Sequence, residues 1–177
     1  MKRLGLLRHA KSDWDDLSLR DFDRGLNDRG RRGAKLMGDH IRDHGAKWDR
    51  VIASPAERVK RTLEASELTA PVTYDEKAYL ADASTLIASV TRHAADEAAI
   101  LLVAHNPGLQ ELALNLVAPE AENDLFNEVM SKYPTAAFAV FELDIDDWGE
   151  LAPESGKLVH FARPRDLDPE LGPQDLA

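Results

Sequence analysis

The 177-residue chain has room for one domain, and its 44% hydrophobic and 31% charged residues exclude a disordered or fibrous protein. With no cysteine it has no disulfide framework, no thiol nucleophile and no thiolate-held metal. Its 22 basic and 32 acidic residues give a net charge of −10, which argues against broad contact with nucleic acid or anionic membrane and leaves room for a local basic pocket.

The N-terminal apolar stretch is interrupted by Arg8, so it does not read as a secretory signal. The longest apolar run, residues 98–104, is too short to cross a bilayer, and the expectation is a cytoplasmic protein. Short apolar runs with strand character occur at residues 4–7, 51–53, 100–104, 137–143 and 158–161. Helical patterning covers residues 28–44, 55–68, 84–95 and 107–117, with a shorter helix at 123–130 and a loop at 119–122. Strands alternating with helices predict an α/β fold, a three-layer α/β/α sandwich around a mostly parallel sheet. The last two strands, joined by an acidic Gly/Pro-bearing stretch, could be antiparallel and make the sheet mixed. Residues 1–163 read as a single domain and residues 164–177, rich in Asp and Pro, as a solvated or lightly docked tail.

Three strand ends carry chemistry. After the strand at 51–53, Ser54 reads as an N-cap, Pro55 as the first helical residue and Glu57 as the partner in a capping box. Arg58 then lies one turn in, where its side chain leans back over the strand end. The strand at 100–104 is followed by His105, with Asn106 able to cap and Pro107 able to open the next helix. The first strand runs into Arg8 and His9. In an open α/β sheet, ligands bind at the carboxyl ends of the strands, beside helix N-termini that favour anions. If these strands are parallel, Arg8, His9, Arg58 and His105 share one edge. Two guanidinium and two imidazole groups brought together repel one another unless a dianion neutralises them, so the local chemistry points to phosphate.

With these residues in view, the sequence resembles the histidine phosphatase superfamily, the phosphoglycerate-mutase-like group, and most closely its SixA-type phosphohistidine phosphatases. The resemblance rests on LRHAKSDW (7–14), DFDRGLNDRGRRGA (21–34), SPAERVKRT (54–62), VAHNPGL (103–109), PTAAFAVFELD (134–144) and RPRDL (163–167), in the family's order over nearly the whole chain. It implies a phosphoglycerate-mutase-like fold. It also implies that His9 is a nucleophile forming a phosphohistidine intermediate, that Arg8 and Arg58 clamp the phosphoryl oxygens, and that His105 donates to them. Ser12 and Asn106 are further candidates for substrate contact. A neutral imidazole is a competent nucleophile at pH 7, and neighbouring arginines disfavour its protonation. The four side chains supply the positive field, so neither metal nor other cofactor is expected.

The chain departs from the family pattern in three places. No carboxylate between Thr62 and Ile100 sits in a motif that would mark it as a general acid. Asp75, Glu76 and Asp82 are available there; Asp82 is the weak candidate, with helix capping as its alternative reading. A phosphoramidate tolerates this absence better than a phosphoester, because imidazole can leave protonated. Asp15 stands where many relatives have asparagine, and Ala104 where a glycine is usual. That stretch also has no insertion large enough to build a lid, which favours a phosphorylated protein over a small metabolite.

Other features have plainer readings. His40 and His44, four apart on a helix, lack the glutamate of a metalloprotease signature and read as a solvated face. Arg29–Arg32, set among Asp21, Asp23, Asp28 and Asp39, reads as a salt-bridged helix start, and His93 and His160 as structural residues. Trp14 could floor the site, receive a partner or simply pack. The expected function is metal-independent hydrolysis of phosphohistidine in a protein of the histidine-phosphotransfer type, by a monomer that binds neither nucleic acid nor membrane. The alternatives are a broad small-molecule phosphomonoesterase and, in another class, a non-catalytic phosphohistidine-binding module.

Overall fold

The computed structural model describes residues 1–45 and 47–172. In chain order the elements are β1 (Lys2–Arg8), α1 (Asp28–Asp43), β2 (Arg50–Ala53), α2 (Glu57–Ser66), β3 (Val72–Tyr74), α3 (Ala83–His93), β4 (Ala99–Ala104), α4 (Gly108–Asn115), α5 (Asp124–Ser131), β5 (Phe138–Leu143), β6 (Gly156–Ala162) and the single turn α6 (Pro164–Leu167). The six strands form one sheet in the order β3-β2-β4-β1-β5-β6. The first four are parallel; β5 runs antiparallel to β1, and β6 antiparallel to β5.

The central strands are apolar throughout because both faces are covered. Side chains alternate along each strand. Leu4, Leu6, Ile100, Leu102, Ala139 and Phe141 pack with Leu86, Leu109, Leu112 and Phe126 from α3, α4 and α5. Leu7, Leu101, Val103, Phe138 and Val140 pack with Met37, Ile41, Val59 and Leu63 from α1 and α2. The result is the expected three-layer α/β/α sandwich with a mixed sheet.

Two local expectations are corrected. Strand β3 has no apolar run to announce it, since Val72 and Tyr74 are both exposed at the sheet edge. Helix α2 begins at Glu57 with Ala56 at its N-cap, and Ser54, buried completely, caps nothing by its side chain at N2 or N3. The segment beyond Ala162 packs on α1: Pro164 is buried, and Arg29 donates to the carbonyls of Glu170 (2.8 Å) and Gly172 (2.7 Å). Residues 173–177 of the expected tail lie outside the described residues. No described helix is long and apolar enough to cross a membrane.

Candidate active site

Strand register gathers the site. Leu7 lies opposite Val103 and Arg8 opposite Ala104, while Ala53 lies opposite Val103. The residues at and just beyond the ends of these three strands therefore emerge side by side at one edge: Arg8 and His9, Ser54 and the start of α2, and His105. The backbone ties them further. His9 N–H donates to the Ala104 carbonyl (3.2 Å), Ser54 N–H to that of Val103 (3.1 Å), and Ala136 N–H to that of His9 (3.0 Å). Thr62, from α2, accepts from Ala10 N–H (2.9 Å) and donates to the Arg58 carbonyl (2.7 Å), which locks the loop after β1 to the helix bearing Arg58.

His9 is buried, and its Nδ1 lies 2.7 Å from the Ala10 carbonyl oxygen. A carbonyl can only accept, so Nδ1 carries the proton and Nε2 keeps its lone pair. The His105 ring is 5.2 Å away, centroid to centroid. Arg58, also buried, donates through Nη2 to His105 Nδ1 at 3.2 Å, and His105 Nε2–H donates to Ser54 Oγ at 2.7 Å. The same guanidinium donates to the Asp21 carbonyl (2.8 Å) and pairs with its carboxylate (3.0 Å), which also accepts from the Tyr79 hydroxyl. On the other side, Arg8 donates to the Tyr133 carbonyl (3.1 Å), while its buried Nε has no partner among the described residues.

The electrostatics follow from this crowding. Burial, followed by His105, Arg8 and Arg58, outweighs the Ala10 contact and lowers the His9 pKa to about 3. Burial and Arg58 do the same to His105, also to about 3. Both rings are neutral at pH 7. Partial burial pushes the Asp21 carboxyl up, but Tyr79 and Arg58 together hold it below the usual carboxylate range, so it is ionised. Among the described residues the edge thus holds two guanidinium groups, two neutral imidazoles and one carboxylate, a surplus of positive charge suited to an oxyanion.

The four residues expected at one edge are brought together. Asp21, Tyr79 and the Ser54 partnership with His105 were not anticipated. Asp21 belongs to the stretch that carries the resemblance, yet its charge suggested a partner in the Arg29–Arg32 run. Within that run Arg31 pairs with Asp28, and Arg32 reaches Asp168 and Glu170. Asp23 and Asp39 instead serve Arg20 and Arg42.

The remaining candidates are engaged elsewhere. Asn106 donates to the Tyr133 carbonyl (2.9 Å) and accepts from Gln110 N–H (3.2 Å), tying α4 to the loop that also holds Arg8. Ser12 accepts from the Trp14 indole (3.1 Å). Trp14 does not floor the site: it is 58% exposed, with the guanidinium carbon of Arg24 4.0 Å from the centre of its ring. Asp82 caps α3 by accepting from Thr85 N–H (2.9 Å). Asp75 is held by Ser89, Arg92 and His93, and Glu76 is exposed at the start of the turn Glu76–Ala78. His40, rather than facing solvent alone, shares a hydrogen bond with His160 (2.8 Å).

A six-stranded α/β sandwich with an Arg-His pair after β1, an arginine on the helix after β2 and a histidine after β4 has the architecture of a phosphoryl-transfer enzyme. The comparisons agree. Residues 4–85 match the model of the histidine phosphatase superfamily, branch 1. A protein of Mycobacterium leprae is 35% identical over 164 residues, covering 90% of this chain and all of its own length. A structure from Nakamurella multipartitia, named for the phosphohistidine phosphatase SixA, superposes with a TM-score of 0.82 at 29% identity over 92% of this chain and 96% of its own. Another, from Agrobacterium tumefaciens and named likewise, gives 0.76 at 28% over 92% and 98%. The chain belongs to the histidine phosphatase superfamily, and its fold and family support phosphatase activity.

Proposed function

We propose that the chain is a phosphohistidine phosphatase acting on proteins. His9 Nε2 attacks the phosphorus of a bound phosphohistidine; the new Nε2–P bond forms as the bond to the substrate's imidazole nitrogen breaks, and that imidazole, carrying on its other ring nitrogen a proton taken up from solvent, leaves neutral. Arg8 and Arg58 hold the phosphoryl oxygens, stabilising the charge spread over them in the transition state. His105, positioned by Ser54 and Arg58, lies beside the same oxygens. Water then attacks the phosphorus, the P–N bond to His9 breaks, and inorganic phosphate departs.

The observation that carries this reading is the tautomer of His9. Its Nδ1–H is committed to Ala10, which leaves Nε2 as a neutral nucleophile in a field of arginines. Preference for a phosphoramidate is supported by the one carboxylate in the site. Asp21 is ionised and tied to Arg58 and Tyr79, so it is a poor proton donor to an alkoxide leaving group, which a phosphoester would require. Action on a protein is supported by exposed apolar side chains, Trp14, Leu17 and Leu19, on the segment that joins β1 to Asp21. It is supported too by the two SixA-named structures. A further match is a 59-residue stretch 41% identical to the serine/threonine-protein phosphatase Pgam5 of Drosophila virilis, a third of this chain and a fifth of that one. A histidine-phosphotransfer domain in the cytoplasm is the substrate this reading favours, met by a monomeric enzyme needing no metal.

The deciding assay compares phosphate release from a phosphohistidine protein, an aryl phosphate and sugar phosphates. The phosphohistidine protein should have the highest kcat/KM, and His9→Ala should remove turnover and acid-labile enzyme-bound phosphate together. Equal or faster release from sugar phosphates would favour a small-molecule phosphomonoesterase, and binding without release would favour a recognition module.

A further inference from the structure

Ala10 and Lys11, the two residues after His9, form one wall of a second cavity of about 150 Å³. Its other walls come from the first turns of α1, from residues 132–136 and from the segment that follows β6. Four of the side chains lining it are cationic: Lys11, Arg29, Lys132 and Arg165. In a chain of net charge −10 this concentration stands out, and the carboxylates nearest it are paired with arginines. Asp28 is paired with Arg31, Asp166 with Arg163, and Asp168 and Glu170 with Arg32. Among the described residues none of Lys11, Arg29, Lys132 and Arg165 has an ion pair within 4.0 Å, and no aspartate or glutamate lines the cavity. Lys11 and Lys132 are exposed.

We infer that this cavity is a docking subsite for carboxylate side chains of the protein substrate, seated while its phosphohistidine occupies the neighbouring cleft. The inference rests on the phosphohistidine reading and adds a selection rule to it: acidic residues must flank the modified histidine. With a net charge of −10 the protein as a whole repels an acidic partner, so a basic cavity free of carboxylates next to the nucleophile favours an approach that seats acidic residues there. The space admits a side-chain carboxylate and little more, which suits an anchor beside the reacting group rather than a second whole substrate.

Three substrates test this: a phosphohistidine peptide flanked by glutamates, its twin of equal length flanked by lysines, and free phosphohistidine. The wild-type protein should favour the glutamate peptide by about tenfold in kcat/KM at low salt, mainly through KM, and the advantage should shrink as salt rises. The double variant Lys11→Glu, Lys132→Glu should erase or reverse that preference while hydrolysing free phosphohistidine at the wild-type rate. Equal rates on the two peptides, or a preference that survives the double variant, would overturn the subsite. Binding of the unphosphorylated glutamate peptide, followed by fluorescence anisotropy, separates the two readings. If no phosphohistidine compound is hydrolysed but this peptide binds the wild type and not the double variant, the reaction falls and the subsite stands. Absent or equal binding to both overturns the subsite by itself.

Discussion

Asp21 is the residue whose position asks most of the site. An ionised carboxylate beside the arginine that must hold a phosphoryl group opposes the incoming dianion, yet the same carboxylate and its backbone carbonyl fix the Arg58 guanidinium. Two unit charges about 4 Å apart interact by roughly 1–4 kcal/mol between bulk water and a protein surface, and the half-exposed Asp21 belongs at the low end. Asp21→Asn keeps acceptors for Tyr79 and Arg58 while removing the charge, so inorganic phosphate should inhibit the variant about fivefold more strongly. An unchanged or weaker inhibition constant would mean that Asp21 acts chiefly by orienting Arg58. Arg8, His9, Arg58 and His105 were legible in the sequence because each ends a strand, directly follows one or lies in the first turn of the helix after one, where parallel register dictates position. Asp21 and Tyr79 come from irregular segments whose approach to the site no periodicity encodes. Ser54 was legible as a polar residue at the strand end but not in its role, because the partner that takes its hydroxyl lies 51 residues away.

Among the elements, α1 carries two opposite glycine environments. A Cβ on Gly38 would meet the Ser66 carbonyl oxygen at 2.1 Å, so that glycine is what lets α1 lie against the end of α2. On Gly33 a Cβ would find nothing nearer than 3.9 Å. Overpacking of the first kind costs about 1–3 kcal/mol or more. At about 2–4 °C per kcal/mol for a chain of this size, Gly38→Ala should lower Tm by roughly 5–10 °C. Gly33→Ala removes the entropic penalty of a mid-helix glycine and should raise Tm by a degree or more, since alanine is favoured there by about 0.5–1 kcal/mol. Thermal unfolding of the two variants checks both signs, and a neutral Gly38→Ala would show that α1 can slide without loss. Helix α1 itself was legible from its helical patterning, and β1, β2, β4, β5 and β6 from their short apolar runs. Strand β3 was not, because three residues with exposed Val72 and Tyr74 carry no burial pattern. Its place is secured from outside the strand, where Asp75 accepts from Ser89 and Lys77 and pairs with Arg92 and His93 of α3.

For the molecule as a whole, element order and mixed sheet could be read from alternation along the chain. The docking of residues 164–172 could not, because it depends on Arg29 and Arg32 meeting acceptors about 140 positions away, which composition alone does not reveal. The cost of gathering a cationic site should appear in global stability as a function of pH. His9 and His105 have folded pKa values of about 3, against about 6.5 in the unfolded chain, and His160 is lowered to about 4 by burial and by His44 and His40. Between pH 6.5 and those values the unfolded state binds more protons than the folded one, so stability falls as pH falls through this window. Each fully buried imidazole contributes up to about 1.4 kcal/mol per pH unit there. Most carboxylates titrate below about pH 5, so the interval from 6.5 to 5 isolates the histidines. The midpoint of urea unfolding should therefore drop between those two pH values. His9→Gln should flatten the slope by one proton, and inorganic phosphate should restore stability in the wild type by compensating the buried cations. A midpoint independent of pH across that interval would show that the two rings are not held neutral by burial among arginines, and a phosphate effect that persists undiminished in Arg58→Ala would show that the anion is not held by that arginine.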